Sequence, residues 1–197
     1  LTATTFSREY DGTDSIVRET GDPGYTQEGL VTTEEVKDTL SNVETKFVGK
    51  NAGTGKKITV SAYTVNDGNN GQNYVVKIVN AEDGIITPKA LQLTKVGNAN
   101  KVYDGDADTE QTLGEVYRLD GVINGEVALS DASRTAVGQY EDKNAGTKKV
   151  EFKDIALKEV VEGNLNNYTI DSSVTTQGTI TPKALQLTKV GNANKVY

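Results

Sequence analysis

The residues of this chain best suited to chemistry are carboxylates. Asp104, Asp106, Asp108 and Glu110 alternate with Gly105, Ala107 and Thr109, and Glu115 stands twelfth counting from Asp104. Alternating oxygens at this spacing suit a calcium ion. The sixth position of such a loop calls for glycine, but here it is Thr109. A solvated acidic turn is the simpler reading. Glu34-Glu35 and Glu141-Asp142 have the composition of an acid/base pair, yet both fall in turn-like sequence. Gly53-Thr54-Gly55-Lys56-Lys57 lacks the spaced glycines and the Ser/Thr after Lys that a phosphate loop needs. Lys50-Asn51 and Lys143-Asn144 offer two partners of an isopeptide cross-link, which also requires burial and a catalytic carboxylate. Lys and Asn are more commonly exposed turn residues.

What is missing narrows the field further. The 197 residues contain no His, which removes the commonest general base, the Ser-His-Asp triad and His-ligated zinc. They contain no Cys, which removes disulfides, thiolate nucleophiles and thiolate metal sites. With 21 basic against 28 acidic residues the net charge is −7, the wrong sign for nucleic acid or an anionic membrane surface. No run approaches the ~18 apolar residues of a membrane span. The expectation is a non-enzymatic protein with no cofactor, no metal site and no catalytic residues.

The elements that position these residues are organised by internal repetition. Residues 86–103, ITPKALQLTKVGNANKVY, recur letter for letter at 180–197, 94 residues on. Weaker echoes keep the same order. Tyr10-Asp11-Gly12 answers Tyr103-Asp104-Gly105, Lys50 to Thr54 answers Lys143 to Thr147, and Asn73-Tyr74 answers Asn167-Tyr168. Such a period is too long for a solenoid unit and fits a small domain. The expected modules are 1–88 and 89–182, with 183–197 the first strand of a third.

Within the second module, apolar residues form short blocks: Leu91-Leu93, Val116-Leu119, Val127-Leu129, Val150-Phe152, Ile155-Leu157, Tyr168-Ile170 and Val174-Ile180. Gly, Asn and Asp turns separate them, the pattern of an all-β domain. Asn124-Gly125 predicts a two-residue hairpin turn, and Leu91, Leu93 and Val96 are expected to cover core. Thr32 to Leu40 carries a capping-box start that suggests a helix. The alignment of Gly29 to Val36 with Gly121 to Ala128 predicts a turn instead, with at most a short helical piece.

Lys101-Val102-Tyr103-Asp104-Gly105, Gly121 to Glu126, Asp142 to Thr147, Asn167-Tyr168 and Ile180 to Lys183 together resemble the YDG/MBG-type tandem modules of bacterial surface adhesins, including filamentous-haemagglutinin-like proteins. The first module departs from the pattern at Ser7-Arg8-Glu9. The resemblance implies an extracellular, cell-surface or secreted protein of tandem, mostly-β modules, and it brings no catalytic residues. The fold expected is two immunoglobulin-like β-sandwich modules set end to end, with β-grasp-like modules as the alternative. Physically, Asp-Gly is a tight turn whose carboxylate caps backbone amides. The Tyr of each Asn-Tyr pair could bury its ring and bond a loop carbonyl, as in a tyrosine corner.

The expected function is a stalk that holds a distal binding region away from the cell. Its partners would be the neighbouring modules of the same chain, with no nucleic acid and no membrane contact. Thr87-Pro88 leads from one strand directly into the next, which stiffens the joint. The alternative is a module that binds host glycan or protein weakly and multivalently, through Tyr25, Tyr63, Tyr117 or Tyr140. Deleting 184–197 is expected to leave the thermal midpoint of the second module nearly unchanged in calorimetry. A sharp fall would move the boundary at 182.

Overall fold

The structure, a computed structural model, describes residues 1–188 and 191. It is all-β, with two short helices and one 3-10 turn among the described residues. The chain forms two compact units. The first holds Leu1–Leu91, Gly121–Ala128 and Glu159–Ile170; the second holds Gln92–Asp120, Leu129–Lys158 and the described residues from Asp171 onward. Three segments of the second sequence repeat, 89–91, Gly121–Ala128 and Glu159–Ile170, therefore belong to the first unit.

In the first unit, β1 (Thr2–Ala3) pairs with β3 (Tyr25–Thr26). Its main sheet runs β2 (Ser7–Glu9), β6 (Ala81–Thr87), β5 (Gly53–Asn66), β4 (Thr39–Phe47). β2 runs parallel to β6, and the other pairs are antiparallel. Phe47, Ile58, Val60 and Ile86 form its core, where period-2 alternation turns them to one face. Pro88 separates β6 from β7 (Lys89–Ala90), which pairs in parallel with β16 (Tyr168–Thr169).

The second unit repeats this plan. β9 (Lys101–Val102) lies parallel to β17 (Val174–Thr181), which pairs with β14 (Gly146–Phe152), then β13 (Val137–Tyr140). The registers correspond. Glu9 opposite Thr87 matches Val102 opposite Thr181, and Gly53 opposite Ile86 matches Gly146 opposite Ile180. Tyr140, Val150, Phe152 and Ile180 are its core. β10 (Asp108–Thr112) extends this sheet beyond β13. β8 (Gln92–Lys95) and β11 (Tyr117–Asp120) form a ribbon, and Tyr117 sets its ring edge-on to Phe152 at 6.0 Å. The remaining elements are α1 (Leu113–Val116), β12 (Val127–Leu129), α2 (Asp131–Thr135) and β15 (Leu157–Glu159).

Several expectations meet the structure here. Thr33 to Val36 is a turn: the Thr33 amide donates to the Val36 carbonyl at 2.7 Å, and no helix forms. Asn124 and Gly125 both take positive φ, 49° and 68°, as a type I′ turn requires. The expected hairpin is corrected, however. Residues 122–123 are not a strand, and β11 pairs with β8 instead. Val96 is exposed rather than covering core. Of the expected strand at 183–197, residues 183–188 carry no strand and expose Leu185 and Leu187; the rest, Gly191 apart, lies outside the described residues.

In each repeat the glycine of the last strand is dictated by close approach rather than by φ. A Cβ on Gly84 would stand 2.8 Å from the Phe47 ring, and one on Gly178 would stand 2.0 Å from the Ala99 carbonyl oxygen and 3.0 Å from the Tyr140 ring. Gly178→Ala is therefore expected to lower stability by about 1–3 kcal/mol in urea denaturation. No loss would mean that β17 can shift away from Ala99.

Candidate functional site

The strongest convergence of polar side chains lies inside the first unit, around Glu126. The I′ turn places this residue, whose amide donates to the Ile123 carbonyl at 3.0 Å. Its carbonyl then accepts the amides of Val160 and Val161 at 2.9 and 3.0 Å, which fixes the backbone. Glu126 is 4% exposed. Tyr168 donates its hydroxyl to Oε2 at 2.7 Å, and Tyr10 donates to Oε2 at 2.9 Å and Oε1 at 3.1 Å. Lys50 donates to Oε1 at 3.0 Å. The two tyrosine rings meet edge-to-face at 5.5 Å. The Tyr168 oxygen accepts the Ile123 amide, so the expected bond to a loop carbonyl is corrected to a carboxylate and an amide.

A second buried amide sits beside this cluster. Asn167 is 1% exposed. Its Oδ1 accepts the Ala52 amide at 2.8 Å, and its Nδ2 donates to Oδ1 of Asn51 and of Asn164. Tyr10, Lys50, Asn51 and Ala52 come from the first repeat, whereas Glu126, Asn164, Asn167 and Tyr168 come from the second. The motif residues of two repeats thus complete one another within a single compact unit.

Burial pushes the Glu126 carboxyl up, but donation from Tyr168, Lys50 and Tyr10 outweighs this and holds it below the ordinary carboxylate range. Burial, followed by donation to Glu126, pushes both tyrosines up, Tyr168 far above the usual phenol. Donation to Glu126 raises Lys50. The result is a fixed anion saturated by donors, suited to tying segments together.

The other sequence candidates lie apart. Asp104 and Asp106 both face the fully covered Lys101 ammonium, at 2.7 and 2.5 Å, with the Tyr140 ring 5.8 Å from it. A lysine ammonium therefore occupies the place between these carboxylates that a calcium ion would take. Glu115 binds the amide and hydroxyl of Thr112 at the start of α1. Glu34 and Glu35 stand exposed in their turn, and Asp142 pairs with Lys148 at 2.8 Å. Gly53 to Lys57 is part of β5. Tyr117 and Tyr140 are buried, which corrects their candidacy as exposed aromatics, while Tyr63 remains exposed. Glu126 and Asn167 were not anticipated as buried centres. The recurrence of Asn167-Tyr168 as Asn73-Tyr74 was the available signal for Asn167, and Glu126 lies outside the recurring Tyr-Asp-Gly, Lys-Asn-Ala and Asn-Tyr motifs.

These features define a tandem all-β repeat protein whose motif residues build a buried junction. The YDG domain family matches residues 1–81 and 87–176, and the chain belongs to that family. The chain matches no curated protein and no solved structure.

The junction predicts the pH dependence of stability. The unfolded Glu titrates near 4.5 and its folded value lies lower, so its contribution is complete above 4.5 and is lost as pH falls through the folded value. Unfolded Tyr titrates near 10.0 with folded values higher, so that contribution is lost as pH rises past 10.0. Tyr168→Phe should cost about 1–3 kcal/mol near neutrality and flatten the alkaline limb. Urea denaturation across pH measures both, and an unchanged alkaline limb would contradict the assignment.

Proposed function

We propose that this chain is a structural spacer of a bacterial cell-surface or secreted fibrillar adhesin. Its YDG modules hold a distal binding region away from the cell. The observation that carries this reading is the junction itself. Tyr10, Lys50 and Asn51 of one repeat are engaged by Glu126, Asn167 and Tyr168 of the next, so the motifs serve to join repeats. Pro88 between β6 and β7 leaves no flexible linker there, and the surplus of acid favours solubility of an array. An immunoglobulin-like sandwich is the finer fold reading. It is supported by the β8–β11 ribbon over the five-stranded sheet, through Tyr117 and Phe152.

One observation favours a second reading, weak glycan binding. An open polar groove of about 670 Å³ in the first unit is lined by Tyr63, Asn66, Asp67 and Asn70, among others. Aromatic and amide groups together suit a sugar.

The readings separate in two assays. An epitope displayed on bacteria at the end of one, two or four copies of this chain should be captured by antibody-coated beads more readily as copies are added. The same chain should stay silent on a glycan array. Capture independent of copy number would overturn the spacer, and saturable binding of one glycan class, abolished by Tyr63→Ala, would establish the adhesive module.

A further inference from the structure

The junction residues occur twice in the sequence, but only one set is used in full. Tyr10 is 1% exposed, whereas its counterpart Tyr103 is 36% exposed. A Cβ on Gly12 would meet Ile123 at 3.0 Å, while one on Gly105 would meet nothing within 4 Å. Lys143, Asn144 and Ala145, the counterparts of Lys50, Asn51 and Ala52, stand exposed. Leu91 is buried, and the identical Leu185 is 93% exposed.

The backbone beneath this open set is already in place. The Tyr103 amide donates to the Thr181 carbonyl at 2.8 Å, as Tyr10 does to Thr87 at 2.9 Å. The Asp106 amide caps on Asp104 as the Thr13 amide caps on Asp11.

The first repeat carries the complementary half. Val31 donates its amide to the Tyr74 hydroxyl at 2.9 Å, which repeats the Ile123 to Tyr168 bond. Tyr74 donates to Asp38, which takes the part of Glu126. Here the surroundings are open. Val31 is 48% exposed, Asn73 is exposed where Asn167 is buried, and Val75 is fully exposed. Among the described residues no strand pairs with Tyr74-Val75, whereas Tyr168-Thr169 pairs with Lys89-Ala90.

We propose that the Tyr103–Lys143–Asn144 face docks on the Val31–Asp38–Tyr74 face of a second copy of this chain. The bound arrangement is the one already built around Glu126. The Tyr103 hydroxyl and the Lys143 ammonium meet the Asp38 carboxylate, Gly105 lies against Val31, and Lys183-Ala184 pairs along Tyr74-Val75. The two faces differ, so the contact is heterologous: each copy offers one face to the next. It concerns self-association alone and stands whether or not the spacer reading holds.

Sedimentation equilibrium of the full chain from ~10 µM to ~1 mM tests this, the range in which small interfaces associate. The expected result is an average mass that climbs above the monomer with concentration. Tyr103→Ser and Lys143→Glu should each weaken association about tenfold or more, since each removes a pairing to the Asp38 carboxylate. Circular dichroism should show both variants folded, because both side chains are exposed. Val17→Ser, which trims another exposed apolar side chain, should change nothing. A monomer throughout the range, or association indifferent to Tyr103 and Lys143, would overturn the proposal. Equal weakening by Val17→Ser would do the same.

Discussion

A carboxylate withdrawn from water must be met by donors or give up its charge, and Glu126 is met by three side chains. Those donors come from β-strand flanks and turns far apart in sequence, so Tyr10, Lys50 and Tyr168 are constrained to one place by a single anion. The Asn167 side chain extends the constraint to Asn51, Ala52 and Asn164. Removing the anion would strand two buried hydroxyls. A network of this kind penalises partial assembly more than a purely apolar contact of similar size would. The Tyr-Asp-Gly, Lys-Asn-Ala and Asn-Tyr motifs are best understood as parts of this one network.

Each motif is prepared locally before it is used. The Asp of Tyr-Asp-Gly caps the amide two residues on and pairs with a base three residues back, Arg8 in one repeat and Lys101 in the other. This orients the turn independently of any partner. The sheet then carries the turn to the right height through the parallel pairing of the first and last strands, with matched register in both repeats. Differences between the copies fall where packing tolerates them. Phe47 is replaced by Tyr140, whose hydroxyl finds the Ala99 carbonyl, and the glycine of the last strand faces the ring in both.

Much of the secondary structure was legible in the sequence because short apolar blocks and Gly/Asn turns have local causes. The repeat of 94 residues, the all-β class, the turn at 33–36 and the I′ turn at Asn124-Gly125 all follow from residue type and spacing. Strand partners were not legible. The segments around Asn124-Gly125 read as a hairpin, yet the Glu126 carbonyl takes Val160 and Val161, and β11 takes β8. Pairing is chosen by long-range burial, which the turn does not encode.

The sequence by itself determined which residues recur and which turns they make. It named Tyr10, Lys50, Asn51, Asn167 and Tyr168 as motif positions and showed that Asp104 and Asp106 are carboxylates close together. Only the tertiary structure decided that the first repeat's Tyr and Lys meet the second repeat's Glu and Tyr, and that Lys101 fills the acidic turn. The physical reason is that burial selects partners. A charge removed from solvent is satisfied by whichever donors the fold brings within about 3 Å, and no local pattern records which those will be.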